Sequence, residues 1–320
     1  MNIVINLNKP KGITSQQAVS KIKRIFGARK AGHAGTLDPI ATGVLLVCLG
    51  EATKVARFLS DLDKEYIAVM KLGERTTTYD SEGEVIRRVG DFSLERKGIE
   101  DVIERFKGTT CQTPPMYSAV KINGKPLYKL ARKGITVERP QRMVVIHRIE
   151  IIGFDLPFLE IRVSCSKGTY IRTLCDDIGE ALGVGAHITE LKRTRIGDFR
   201  IEDSATIEDL ENLLRKCHAE LVSASLETLK RVQGDIKGVL PAVQSIDSAL
   251  KHLAELVLTE AEFTRAKQGL SVSCPNRELS GEYIRLKDPS GSLFAIGRIE
   301  NSVIKIERML HLSSNIKPLF

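Results

Sequence analysis

The sequence predicts an α+β protein of two units, a larger N-terminal one that mixes strands with amphipathic helices and a small C-terminal β-barrel. Three observations carry that expectation. At 320 residues the chain exceeds the ~100–200 residues of a typical single domain. Within the first 215 residues, period-two apolar patterns alternate with helical ones. From about residue 250, short apolar runs are separated by turn signals at Pro275, Ser280-Gly281 and Pro289-Ser290-Gly291.

The elements follow in order. "NIVINLNKP" reads as a strand ended by Pro10, and "TSQQAVSKIKRIFG" as a helix in which Thr14 and Gln17 have capping-box spacing, Val19, Ile22 and Phe26 share a face, and Gly27 is the stop. "VLLVCL", between Gly43 and Gly50, is a continuous apolar run of the kind expected for a strand covered on both faces. "KEYIAVMKL" and "LEIRVSC" alternate as strands do, with Tyr66, Ala68 and Met70 on one face of the first. Helices are expected at about 93–107 and 170–182, the second from Ile171, Leu174, Cys175, Ile178 and Leu182, with Arg172, Asp176 and Glu180 on another face. "YSAVKINGKPLYKLARKGI" reads as a strand, an Asn-Gly turn and a short basic helix that projects as an arm. "TIEDLENLLRK" is a further helix, and "LVLTEAEFTRAKQGLSV" opens the barrel unit with a short one. The predicted boundaries are 1–215 for the first unit, 216–249 for a linker and 250–320 for the second. Residues 217–238 have a different character, resembling repeat-derived peptides carried in frame by some intracellular bacteria, and read as a tolerated insertion.

Charge narrows the class of partner. The net charge of +8 and the pI near 9.1 favour an acidic ligand such as nucleic acid. Residues 1–30 hold seven Lys or Arg and no acid, and residues 121–148 hold eight against Glu138 alone. One such run is ordinarily a solvated face, whereas two point to a polyanion surface. The six cysteines contain no C-x-x-C pair, so neither a zinc site nor a disulfide framework is indicated, and reduced cytosol fits best. No apolar run approaches the ~18 residues of a membrane helix, and the opening residues do not form a signal h-region.

Against this basic background, "GHAGTLDPIATG" (residues 32–43) contains the first carboxylate of the chain, Asp38, in a loop leading into the buried strand. Together with "LNKPKGITS", "CQTPPMYSAVKINGKPLYKLARKGI" and "SKGTYIRTLCDDIGEALGVGAHITELKRTRIGDF", this stretch resembles, in order and spacing, the motifs of the bacterial TruB-type tRNA pseudouridine synthases. The tail resembles that family's PUA-type RNA-binding domain more loosely, and residues 217–238 have no counterpart in it.

The resemblance implies a pseudouridine-synthase fold with a mixed, largely antiparallel central sheet and a PUA-like barrel. It implies isomerisation of uridine 55 in the tRNA T loop. That reaction breaks the C1′–N1 bond, turns the uracil over and joins C1′ to C5, adding nothing and needing no cofactor or metal. A carboxylate suits the electron-poor sugar, as in glycoside hydrolysis, and here one serves because the leaving uracil is also the returning nucleophile. By this resemblance Asp38 is the catalytic aspartate, and Arg172 is the arginine that pairs with it and offsets the pKa-raising effect of burial. Tyr66 stacks on the uracil and is a candidate base, Tyr170 contacts the target nucleotide, and Leu191 is an apolar pocket residue. His33 fills the flipped nucleotide's place in the T loop, contributing shape and stacking. Lys9, Lys11, Lys121, Lys125, Lys129, Arg132 and Lys133 lie on T-arm phosphates. The expected protein is a cytoplasmic monomer with tRNA as its partner. Two other readings use the same surfaces: an RNA-binding folding factor for tRNA, and a carboxylate-dependent nucleosidase that would release free uracil.

Overall fold

The computed structural model describes the chain except for residues 119, 123, 223–239, 275–280, 302 and 313–320, and gives only the backbone of 216–222 and 240. Most of the segment read as an insertion therefore lies outside the described residues.

The larger unit is built on a ten-stranded sheet. In chain order its strands and helices begin β1 (Ile3–Lys9), α1 (Ser15–Ile25), β2 (Ala31–Ala34), β3 (Thr42–Leu49), α2 (Ala56–Ser60) and β4 (Lys64–Leu72). A small hairpin, β5 (Glu74–Thr76) with β6 (Val85–Arg88), then precedes α3 (Arg96–Glu104) and β7 (Gly108–Gln112). The arm follows as β8 (Lys121–Ile122), β9 (Lys125–Pro126) and α4 (Leu127–Ala131). Then come β10 (Arg142–Asp155), β11 (Phe158–Cys165), α5 (Ile171–Ala181), β12 (Ala186–Ile196), β13 (Phe199–Arg200), α6 (Ile207–Val222), β14 (Val243–Ser245) and α7 (Ile246–Ala249).

The strand order is β14-β1-β3-β12-β4-β11-β10-β7, with β2 paired to β3 and β13 to β12. Among the described strands of this sheet only β3 and β12 run parallel, meeting at Lys192–Thr42 and Arg193–Gly43. The expected mixed, largely antiparallel sheet is therefore present. Local chemistry accounts for its parts. Thr14 and Gln17 close the capping box at the start of α1. Val44 to Leu49 are fully buried, as a strand covered on both faces must be. Along β4 the buried and half-buried positions alternate from Lys64 to Leu72.

Three elements differ from the sequence reading. α3 is confined to 96–104, shorter than the expected 93–107, although Leu94 and Phe106 beyond its ends still pack on the core. The stretch 216–249, expected as a linker, supplies β14, which adds to the sheet edge beside β1. The second face of α5 is also covered: Arg172 and Asp176 are each 3% exposed, because the β5–β6 hairpin lies over them and Arg75 pairs with Asp176 at 2.7 Å.

The C-terminal unit is a curled five-stranded sheet in the order β15 (Ala254–Val257), β17 (Tyr283–Lys287), β18 (Leu293–Glu300), β19 (Val303–Met309) and β16 (Val272–Ser273). It carries one helix, α8 (Glu260–Lys267), capped by Thr259 and Glu262. Its arrangement fits the PUA-like half-barrel expected of the tail. It shares an apolar core with the larger unit, where Phe58 meets Tyr283 edge-on at 4.9 Å, and the two are tied by Arg57–Glu307 at 2.6 Å. Among the described residues no helix is long and apolar enough to cross a membrane.

Candidate active site

The loop that carries Asp38 is held from every side. Ser15, 2% exposed at the start of α1, accepts from the Leu37 amide at 2.8 Å and donates to the Leu37 carbonyl at 2.9 Å. The Gly12 amide donates to the Pro39 carbonyl at 2.8 Å, and the Ala41 amide to the Asp38 carbonyl at 3.1 Å. Arg193, 1% exposed on β12, donates to the carbonyls of Gly35, Thr36 and Val44. The carboxylate is thus placed by backbone that cannot drift, which is the preorganisation electrostatic catalysis needs.

Asp38 Oδ2 lies 2.9 Å from Nε of Arg172, and the Asp38 side chain keeps 30% exposure while Arg172 keeps 3%. Arg172, at the start of α5, is shared among four acceptors. Its Nη1 donates to Asp80 Oδ2 at 2.9 Å and to the Thr78 carbonyl at 3.2 Å, and its Nη2 to the Tyr117 carbonyl at 2.7 Å. Burial is the largest influence on the Asp38 carboxyl and raises its pKa above the ordinary value. Arg172 and Lys9 pull it back, while Asp80 pushes the same way as burial. The expected offset by a fixed cation is therefore partial.

These residues open onto a cavity of about 350 Å³ lined by Asp38, Tyr66, Tyr170, Arg172, Leu191 and Arg193, with Lys64, Ser118, Val120 and the 166–171 turn completing the wall. That volume lies within the usual range for small-ligand sites, roughly 300–1,000 Å³. Tyr66 is 7% exposed; burial pushes its phenol pKa upward, and Arg193 Nη1 lies 3.5 Å from its oxygen as a donor. A phenol in this setting stays protonated and offers a flat apolar face first. Tyr170 is held through its backbone, since the Gln112 side-chain amide accepts from its amide at 3.0 Å and donates to its carbonyl at 3.3 Å.

Of the residues expected from the sequence, the structure brings Asp38, Tyr66, Tyr170, Arg172 and Leu191 to one cavity. His33 sits on β2 outside the lining, and burial together with Arg193 lowers its pKa, leaving a neutral ring. Lys11, Lys121, Lys125, Lys129, Arg132 and Lys133 are exposed, as phosphate contacts must be. Lys9 is a correction. It is fully buried and donates to the Pro10 and Ile13 carbonyls at 2.8 and 2.9 Å, so it shapes the turn carrying Gly12 and is withdrawn from the phosphate-facing set.

Asp80, Arg193, Gln112 and Lys64 belong to the site without having been singled out in the sequence. Asp80 lies in "TTTYDSEG", which has the composition of a turn, and Arg193 in "KRTRIG", which has that of a solvated basic run. Only an unusual density of Thr before a lone Asp hinted at the first. Lys64 donates to the Ser60 and Leu62 carbonyls, and burial pulls its ammonium down to about 8.

Comparison with known proteins agrees with this geometry. Residues 23–171 match the N-terminal domain of the TruB family pseudouridylate synthases, and residues 172–240 match a tRNA pseudouridylate synthase B C-terminal domain. A tRNA pseudouridine synthase B from Aliivibrio fischeri is 48% identical over 256 residues, 80% of this chain and 77% of the relative. Its counterpart from Haemophilus influenzae is 41% identical over 311 residues, covering 97% and 96%. Among solved structures, a chain of a Cbf5-Nop10-Gar1 complex superposes with a TM-score of 0.72 at 29% identity, covering 96% of this chain and 84% of that one. Cavity, paired carboxylate and sequence kinship converge: the chain belongs to the TruB family of pseudouridylate synthases.

Proposed function

We propose that the chain isomerises uridine to pseudouridine at position 55 in the T loop of tRNA, with Asp38 as the catalytic carboxylate. The observation that carries this reading is the 2.9 Å pairing of Asp38 with a buried arginine at a cavity of about 350 Å³. A surface built only to hold phosphate gains nothing from a carboxylate at its centre, and this disfavours the folding-factor reading.

The target nucleotide leaves the loop stack and enters the cavity, at a cost of a few kcal/mol that backbone contacts offset. Tyr66 and Leu191 hold the ring, and Tyr170 meets the nucleotide at the rim. Asp38 acts on the sugar as the C1′–N1 bond opens, and the electron pair leaves with the uracil. The ring turns and C5 joins C1′; the proton lost from C5 is balanced by the one gained at N1. Arg172 keeps Asp38 ionised and aimed, and Asp80 keeps Arg172 in place. The exposed cations of the arm, Lys121, Lys125, Lys129, Arg132 and Lys133, take the T-arm phosphates, recognising folded RNA by its backbone. The protein acts as a cytoplasmic monomer on this substrate.

The test is incubation with unmodified tRNA followed by pseudouridine mapping. One new pseudouridine in the T loop is expected. Release of free uracil would identify a nucleosidase instead, and binding with no modified base would leave the folding-factor reading standing.

A further inference from the structure

One polar side chain of the cavity wall has no part in the chemistry above. Ser118 is 5% exposed, its Oγ is buried with no hydrogen-bond partner in the protein, and it lines the cavity. A buried hydroxyl without a partner is a net cost to folding, and alanine would fill nearly the same space without that cost. The position of the residue is fixed by its neighbours. The Tyr117 carbonyl takes the 2.7 Å hydrogen bond from Arg172, and the Ser118 carbonyl accepts from the Tyr128 amide of α4 at 3.0 Å. The hydroxyl is therefore held between the catalytic arginine and the basic arm.

We propose that Ser118 is a further catalytic residue whose hydroxyl hydrogen-bonds the imide edge of the target uracil. This rests on the reading of the cavity as the uridine site. Turning uracil about its N3–C6 axis exchanges O2 with O4 and leaves N3–H in place. One fixed partner on that edge thus serves both the bound uridine and the product. A hydroxyl can also re-aim its single proton, which neither a carboxylate nor a guanidinium can do, since the first only accepts and the second only donates. When the C1′–N1 bond opens with its electron pair on the uracil, the ring carbonyls become stronger acceptors, so the hydrogen bond strengthens during reaction. An interaction stronger in the transition state than in the ground state raises rate more than affinity.

The experiment is single-turnover isomerisation of unmodified tRNA by the full chain at saturating enzyme, with tRNA affinity and melting temperature measured in parallel. Ser118→Ala is expected to slow the reaction by at least about tenfold, the size of a hydrogen bond to a charged acceptor. Affinity for tRNA and melting temperature should stay at wild-type values, and Ser118→Thr, which retains the hydroxyl, should be faster than Ser118→Ala. A Ser118→Ala rate equal to wild type overturns the proposal, as does a loss of rate matched by a loss of tRNA affinity or of melting temperature. Failure of the wild-type chain itself to form pseudouridine would count against the functional reading and is distinguishable from either result.

Discussion

Asp38 is useful only while ionised, yet its surroundings favour the protonated form more than water does. Two expectations follow at the residue scale. Asp38→Asn should abolish isomerisation while tRNA still binds, because the amide keeps the shape and cannot ionise; turnover near wild-type level would remove Asp38 from the catalytic role. In the native chain, single-turnover rate should fall on the acid side at a pH above the ordinary carboxyl value of 3.8, since the folded carboxyl holds its proton more tightly. Lys64 behaves in the opposite sense. An unfolded lysine titrates near 10.5, whereas the folded one is pulled down to about 8, so between these values the unfolded chain carries the extra proton. Stability should therefore rise as pH climbs through that window, with Lys9 adding a similar share. Urea unfolding of Lys64→Met from pH 7.5 to 10 should show a smaller rise than wild type, and an unchanged slope would contradict the assignment.

At the scale of elements, the site exists because β3 and β12 meet in parallel at one point. Gly43 opens β3 with φ near 99°, and a Cβ there would lie 2.2 Å from the Arg193 carbonyl oxygen. Backbone has nowhere to yield at that crossing. Gly43→Ala should destabilise the fold by several kcal/mol, roughly the sum of left-handed strain at ~1–3 kcal/mol and the clash. It should also lower activity, because the same Arg193 fastens Gly35 and Thr36 beside Asp38. A denaturation midpoint equal to wild type would show that the two strands can separate without loss. The register of α1, β3, β4 and α5 was legible in the sequence because each has a period set by which face is buried. The burial of Arg172 and Asp176 was not, since the hairpin that covers them comes from nearly a hundred residues earlier in the chain.

Across the whole molecule, charge is distributed unevenly between the arm and the tail. Residues 121–148 carry +7, whereas residues 250–320 carry ten basic against eight acidic side chains, a net +2. Each phosphate contact contributes roughly 0.7 to 0.9 to the slope of log affinity against log salt. Replacing Lys125, Lys129 and Lys133 together should flatten that slope by about two to three units if all three touch phosphate. Charge-neutral changes at exposed tail lysines should alter it less, and the reverse ranking would make the C-terminal unit the main RNA clamp. Point changes are preferable to truncation here, because the tail packs on Phe58 and would leave a shared apolar core exposed. The cavity is lined entirely by residues between Gly35 and Arg193. Deleting residues 217–238 should therefore leave turnover within a few-fold, whereas a collapse of folding would show that the segment is built into the core.

The sequence by itself determined the two-unit α+β plan, the basic arm, the loop around Asp38 and, through its motifs, five of the residues that meet at the cavity. Those features are local or periodic: a turn rich in glycine, a two- or 3.6-residue repeat, and a run of like charge can each be read without knowing what lies across from them. The tertiary structure decided which charges are buried. Lys9 and Lys11 are two positions apart in one basic stretch, yet one props a turn from inside and the other faces solvent. Arg193 and Asp80 read as surface residues and instead hold the catalytic loop and its arginine. A charged side chain is buried only where partners converge on it from distant parts of the chain, and convergence of that kind is a property of the fold.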